Sequence, residues 1–187
     1  MSIKYVLING TIISGVASIN DCAISIDDEG NIDDVIRMRR FDSTQYNDST
    51  TKIIDVKGAY ITPGLIDTHL HGIGGYGTED CSPDSILGMS EALADYGVTS
   101  FLPTVYTDTL DKMIASTKAI VAAMGKEKGA IIEGVNLEGP FISPERIGAQ
   151  APEGLQSVSL DVFNKLYEAG EGKIVAMTIA PELKHMR

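Results

Sequence analysis

Two short runs carry the residue types best suited to chemistry. The first is Asp67-Thr68-His69-Leu70-His71-Gly72, closing the apolar stretch 59–71. Residues i and i+2 of a strand point to the same side, so His69 and His71 can reach one metal ion from one strand end. Imidazole suits zinc, iron or nickel. The bland alternative is two exposed or capping histidines. The chain has three histidines, and this pair takes two of them. The second run is Asn136-Leu137-Glu138-Gly139-Pro140-Phe141, where the apolar segment before it delivers a carboxylate to a strand end. A carboxylate there can ligate a metal or act as a general base. A solvated loop glutamate is the alternative, and a shared rim with the histidine pair favours the functional reading. Glu182, after Ala180-Pro181, could face the same rim but reads as structural, and His185 reads as having no role. Tyr76, in the glycine-rich loop of Gly72, Gly74, Gly75 and Gly77, fits a pocket wall or the surface equally. No GxSxG or P-loop pattern is present.

Those runs need strands to hold them. Before residue 57, short apolar segments alternate with turn residues. Segment 4–8 leads to Asn9-Gly10, a hairpin signal, then 11–13. Segment 22–26 leads to the acidic turn Asp27-Asp28-Glu29, expected to be solvated, then 32–38. Residues 41–52 read as loop and 53–56 as a strand. Residues 1–57 are therefore expected to form a small antiparallel β module. Beyond it, strands at 59–71, 98–105, 130–139 and 173–182 alternate with helices at 82–97, 107–125 and 159–170. Ser82 and Ser159 are the expected N-caps, Pro83 fits the first helical position, and Gly97, Gly125 and Gly170 mark the stops. This alternation predicts a parallel sheet with right-handed crossovers. A closed eight-stranded α/β barrel takes about 250 residues. Residues 58–187 are thus expected to be the first half of such a barrel, or an open four-stranded sheet. The chain stops directly after a strand, leaving an uncovered edge, which reads as a fragment.

Composition narrows the function. Of the 187 residues, 43% are hydrophobic and 22% charged, so a packed core is affordable and disorder disfavoured. The formal charge of -11 would repel polyanions, which argues against nucleic acid and anionic membranes as partners. Cys22 and Cys81 fit no CxxC pattern and suggest a reducing compartment, with the cytoplasm as default. No apolar run of about 18 residues exists to span a membrane.

At this point the residues resemble a known family. The segment 63–72 (PGLIDTHLHG) is similar to the entry of the amidohydrolase superfamily. The combination of 71–80 (HGIGGYGTED), 96–104 (YGVTSFLPT), 134–150 (GVNLEGPFISPERIGAQ) and 178–182 (TIAPE) resembles the N-acetylglucosamine-6-phosphate deacetylases more specifically. The resemblance implies a partial TIM-type barrel of about four of eight strands. It implies one or two divalent ions, zinc or iron, held by Glu138, His69 and His71. Ala149 and Gln150 are implied to line the sugar site; many members have His where this chain has Gln150. The implied reaction is hydrolysis of the N-acetyl group to glucosamine 6-phosphate and acetate. The implied catalytic Asp, two further metal-binding histidines and the phosphate-binding residues lie beyond residue 187, so the chain alone is expected to be inactive. The small-molecule substrate and a homo-oligomeric state of the full-length protein are further expectations. Two alternatives remain: another amidohydrolase acting on a cyclic amide, or a non-catalytic half-barrel that pairs with a second chain.

Overall fold

The computed structural model describes residues 2–47 and 49–186. The chain divides into two compact units between Pro63 and Gly64. The first unit holds β1 (Ile3–Ser14), β2 (Ala17–Asp27), β3 (Ile32–Arg37), β4 (Lys52–Asp55) and β5 (Tyr60–Ile61). β1, β2 and β3 form the expected antiparallel meander, and β4 and β5 both join β1 in parallel. Ile12, Cys22 and Ile24 form its small core.

Asn9-Gly10 does not make the expected hairpin. β1 runs straight through it as one strand, with Asn9 at φ 60 and a register irregularity between Leu7 and Gly10. Left-handed Asn followed by Gly serves a bulge as well as a turn. Asn9 is also tied forward, its Nδ2 donating to Asp55 Oδ1 at 3.0 Å. The hairpin falls instead at Gly15-Val16, where Ser14 pairs with Ala17. The acidic turn also differs from expectation. Asp28 and Glu29 are exposed, but Asp27 is buried and accepts the N–H groups of Glu29 and Asn31 at 3.0 and 2.8 Å.

The second unit holds β6 (Leu65–Leu70), the short ribbon β7 (Gly72–Ile73) and β8 (Tyr76–Gly77), then α1 (Pro83–Ala94), β9 (Val98–Tyr106), α2 (Leu110–Ala123), β10 (Ile131–Ile132), β11 (Val135–Glu138), α3 (Leu160–Ala169) and β12 (Ile174–Thr178). The stretch 59–71, expected as one strand, is two. Thr62-Pro63-Gly64 separates β5 from β6, and Pro63 has no N–H to continue a ladder. The third strand also divides, at Glu133-Gly134, into β10 and β11.

β6, β9, β11 and β12 lie side by side and all pairs are parallel, with β10 also on β9. The strand–helix alternation thus yields the parallel sheet that the sequence predicts. The helices pack by their apolar spacing: Ile86, Met89 and Leu93 of α1, and Met113 and Ile120 of α2, are buried with Phe101, Val105, Leu137 and Leu166. Of the two expected caps, Ser159 Oγ accepts from Val162 N at 3.5 Å, whereas Ser82 makes no side-chain cap bond. Among the described residues, no helix is long and apolar enough to cross a membrane.

Candidate metal centre

The parallel ladder fixes which strand ends meet. β9 lies between β6 and β11, with Thr104 opposite Asn136 and Tyr106 opposite Glu138. The C-terminal ends of β6 and β11 are thereby brought to one rim. There His69 Nε2 and His71 Nε2 stand 3.3 Å apart, and Glu138 Oε2 lies 3.2 Å from the first and 3.0 Å from the second. These three are the group of His, Cys, Asp and Glu side chains that could hold a metal among the described residues.

The protons decide what this triangle can do. His71 Nδ1 lies 2.9 Å from the carbonyl oxygen of Thr104. A carbonyl only accepts, so Nδ1 carries the hydrogen and the Nε2 of neutral His71 is a bare lone pair. That lone pair faces a carboxylate oxygen and a second imidazole nitrogen. One proton can bridge one edge of the triangle, and the other edges then set acceptor against acceptor. A cation at the centre satisfies all three donors. Ligand atoms about 2.0–2.1 Å from a four-coordinate zinc are about 3.3 Å apart along a tetrahedral edge. The observed separations match that spacing. A borderline or hard divalent ion suits two imidazoles and a carboxylate.

The surroundings continue the site. Tyr106 meets the His71 ring edge-on at 5.6 Å between centroids. A cleft of about 690 Å³ opens beside His71 and Glu138 and is lined by Ala149 and Gln150, together with Tyr106, Arg146 and Thr178. Ala149 and Gln150 therefore sit beside the triad. Gln150 is partly committed: its Oε1 accepts the Thr107 N–H at 2.7 Å, so its amide Nε2 is the group left for the cleft. Thr107 Oγ1 in turn donates to the Glu138 carbonyl at 2.8 Å. Glu182 and His185 are not brought to the cleft; His185 lines a separate apolar groove with Phe141 and Phe163. The Tyr76 ring lies against Gly88 of α1.

Several contributors carry no motif. Thr104 looks like an ordinary strand residue in sequence and Thr107 like the start of a helix, and Arg146 sits in an exposed 3-10 turn. The pairing of β9 with β11 brings in Thr104, the hydrogen bond to the Glu138 carbonyl brings in Thr107, and the cleft lining brings in Arg146. Nearby charges are modestly tuned. The Lys112 ammonium, 2.7 Å from Asp108, holds that carboxyl below the usual range, and burial pushes the Cys81 thiol up.

Residues 60–183 match the model of the amidohydrolase family. An N-acetylglucosamine-6-phosphate deacetylase of Bacillus subtilis is 36% identical over 126 residues, covering 65% of this chain and 32% of its own length. One from Haemophilus influenzae is 32% identical over 180 residues, covering 96% of this chain and 45% of its own. The crystal structure of N-acetylglucosamine-6-phosphate deacetylase from Pasteurella multocida superposes with a TM-score of 0.82 at 26% identity, over 96% of this chain and 45% of that one. The chain thus spans between a third and a half of the length of these relatives. Both strands of the triad and the loop carrying Gln150 lie inside the matched segment, and on that match this chain belongs to the amidohydrolase family.

Proposed function

We propose that His69, His71 and Glu138 are metal ligands of a deacetylase that hydrolyses N-acetylglucosamine 6-phosphate to glucosamine 6-phosphate and acetate. The observation that carries the reading is the convergence of two imidazole nitrogens and one carboxylate oxygen within 3.3 Å, with the His71 proton held away on Nδ1. The relatives' printed activity supplies the substrate class. When bound, a zinc or iron ion supplies a Lewis acid that polarises the amide carbonyl and acidifies water. The chain's own residues do the rest that lies within reach. Glu138 and the two histidines hold the charge at the rim. Ala149 and Gln150 line the cleft where the sugar would lie, and the Gln150 amide Nε2 is a donor left for a hydroxyl. Arg146 adds one cation to a wall that also carries Glu79 and Glu138. The aspartate that the resemblance implies as acid–base catalyst is not among the groups at this cleft, so acetate release is assigned to a polypeptide that carries both. The reading divides the chain into a small β module and the first strands of a metal-dependent barrel. Two free thiols, Cys22 buried and Cys81 partly so, support a cytoplasmic setting.

The test follows acetate release by the intact protein, loaded with zinc or iron, from N-acetylglucosamine 6-phosphate and, separately, ring opening of dihydroorotate. Turnover of the sugar phosphate alone is expected, abolished by His71→Ala or Glu138→Gln together with metal retention. A preparation that keeps its metal yet releases no acetate overturns the substrate. Unchanged metal content in both variants overturns the ligands.

A further inference from the structure

The β6 ladder is irregular where His69 sits. Asp67 pairs with Phe101 and Leu70 with Pro103, so Thr68 and His69 fall in a register shift. Pro103, opposite Leu70, has no N–H to give the ladder. Two side chains make the missing bonds. Thr104 Oγ1 accepts the Leu70 N–H at 3.1 Å, and Asn136 Nδ2 donates to the Thr68 carbonyl at 3.1 Å. The two backbone groups that flank His69 are therefore held by side chains from the two neighbouring strands. The same pair is joined, Asn136 Nδ2 donating to Thr104 Oγ1 at 3.2 Å, and the Thr104 carbonyl takes the His71 Nδ1 proton. Both residues are buried, Thr104 completely. Asn136 lies two positions before Glu138 on β11. One hydrogen-bonded pair thus touches the segment of His69, the ring of His71 and the strand of Glu138.

We infer that Thr104 and Asn136 are positioning residues that set the spacing of the three ligands. The inference rests on the metal reading above. Ordinary sheet satisfaction would leave the ladder to hold β6. Here the ladder lapses at His69, and the spacing of the triangle depends on two side-chain bonds instead. Partners that orient ligands in this way typically change metal affinity by about 10–100-fold when removed.

The experiment measures zinc affinity by competition with a chromophoric chelator. It also records the cobalt(II) absorption spectrum and the thermal unfolding midpoint, for the wild-type chain and for Thr104→Val, Asn136→Ala and Thr104→Ser. Thr104→Val and Asn136→Ala are expected to weaken zinc binding about 10–100-fold and to alter the cobalt band, whereas Thr104→Ser, which keeps the hydroxyl, binds as wild type. A lowered midpoint with affinity and spectrum unchanged in Thr104→Val and Asn136→Ala assigns these residues to packing alone and overturns the inference. Should Thr104→Val not fold, Asn136→Ala decides by the same readout. A wild-type chain that binds no zinc removes the metal reading and the inference with it. A wild-type chain that binds zinc, beside variants that bind it equally, removes only the inference.

Discussion

Glu138 is held by its neighbours as much as by its strand. Thr107 Oγ1 donates to its carbonyl, and the next residue, Gly139, has φ +105, a conformation that L side chains rarely adopt. A Cβ on Gly139 would overlap Thr107 Oγ1. Gly139→Ala must therefore break the Thr107 bond or rotate the strand end, and it should lower unfolding stability by about 1–3 kcal/mol and weaken zinc binding as well. Urea denaturation and chelator competition measure the two effects, and a variant unchanged in both would show that the strand end tolerates the side chain. At this scale the convergence of the three side chains was legible because i and i+2 of a strand share a side and an apolar run carries Glu138 to the same rim, although the residues alone left capping histidines and a solvated glutamate open. Gln150 came into view only through the family resemblance, and its bonding not at all. Its Oε1 goes to Thr107 N, 43 positions earlier, a contact that no local pattern encodes.

At the scale of elements, type was easier to read than extent. Helices α1, α2 and α3 and the parallel strands follow from period and glycine stops, with a side-chain cap made by Ser159 and not by Ser82. Asn9-Gly10 misled because its left-handed backbone serves a bulge as readily as a turn, and the choice was made by β4 and β5 pairing along β1. The turn after β2 was misjudged for a related reason: an Asp in an acidic run looks solvated until it turns back on its own backbone. Asp27 accepts the Asn31 N–H foremost, then the Asn31 side chain and the Glu29 N–H, and these bonds hold its carboxyl below the usual range. A depressed folded-state pKa contributes stability that is present above the unfolded value of about 3.9 and lost as pH falls through the folded one. Asp27→Asn keeps the shape and one acceptor but removes the titration. The difference in urea midpoint between wild type and Asp27→Asn should be greatest above about pH 4 and narrow below it. A difference independent of pH would show that the bonds, not the charge, matter.

For the whole molecule, the sheet of the second unit and the charge of the chain pull in opposite directions. Parallel sheets are normally covered on both faces. Here α1, α2 and α3 bury their side of the sheet, while Leu65 and Ile66 of β6, Ile131 of β10, Val175 of β12 and Ile179 just beyond it remain exposed. In the first unit Ile32, Val35, Ile53 and Ile54 are exposed as well. Apolar surface on that scale favours association, whereas a net charge of -11 opposes it by mutual repulsion. Repulsion between surface charges is screened beyond about 8 Å at 0.15 M salt, while apolar burial is not weakened by salt. Raising the salt should therefore move the 20.0 kDa chain toward larger species in sedimentation velocity. A hydrophobic dye should bind the chain at low salt and less of it per chain as association proceeds. A single 20.0 kDa species at every salt concentration, with no dye bound, would mean that the exposed strands are covered in solution by a rearrangement of the chain itself. In that case the spacing of His69, His71 and Glu138 would have to be measured again, because the strands that fix it are the ones that would have moved.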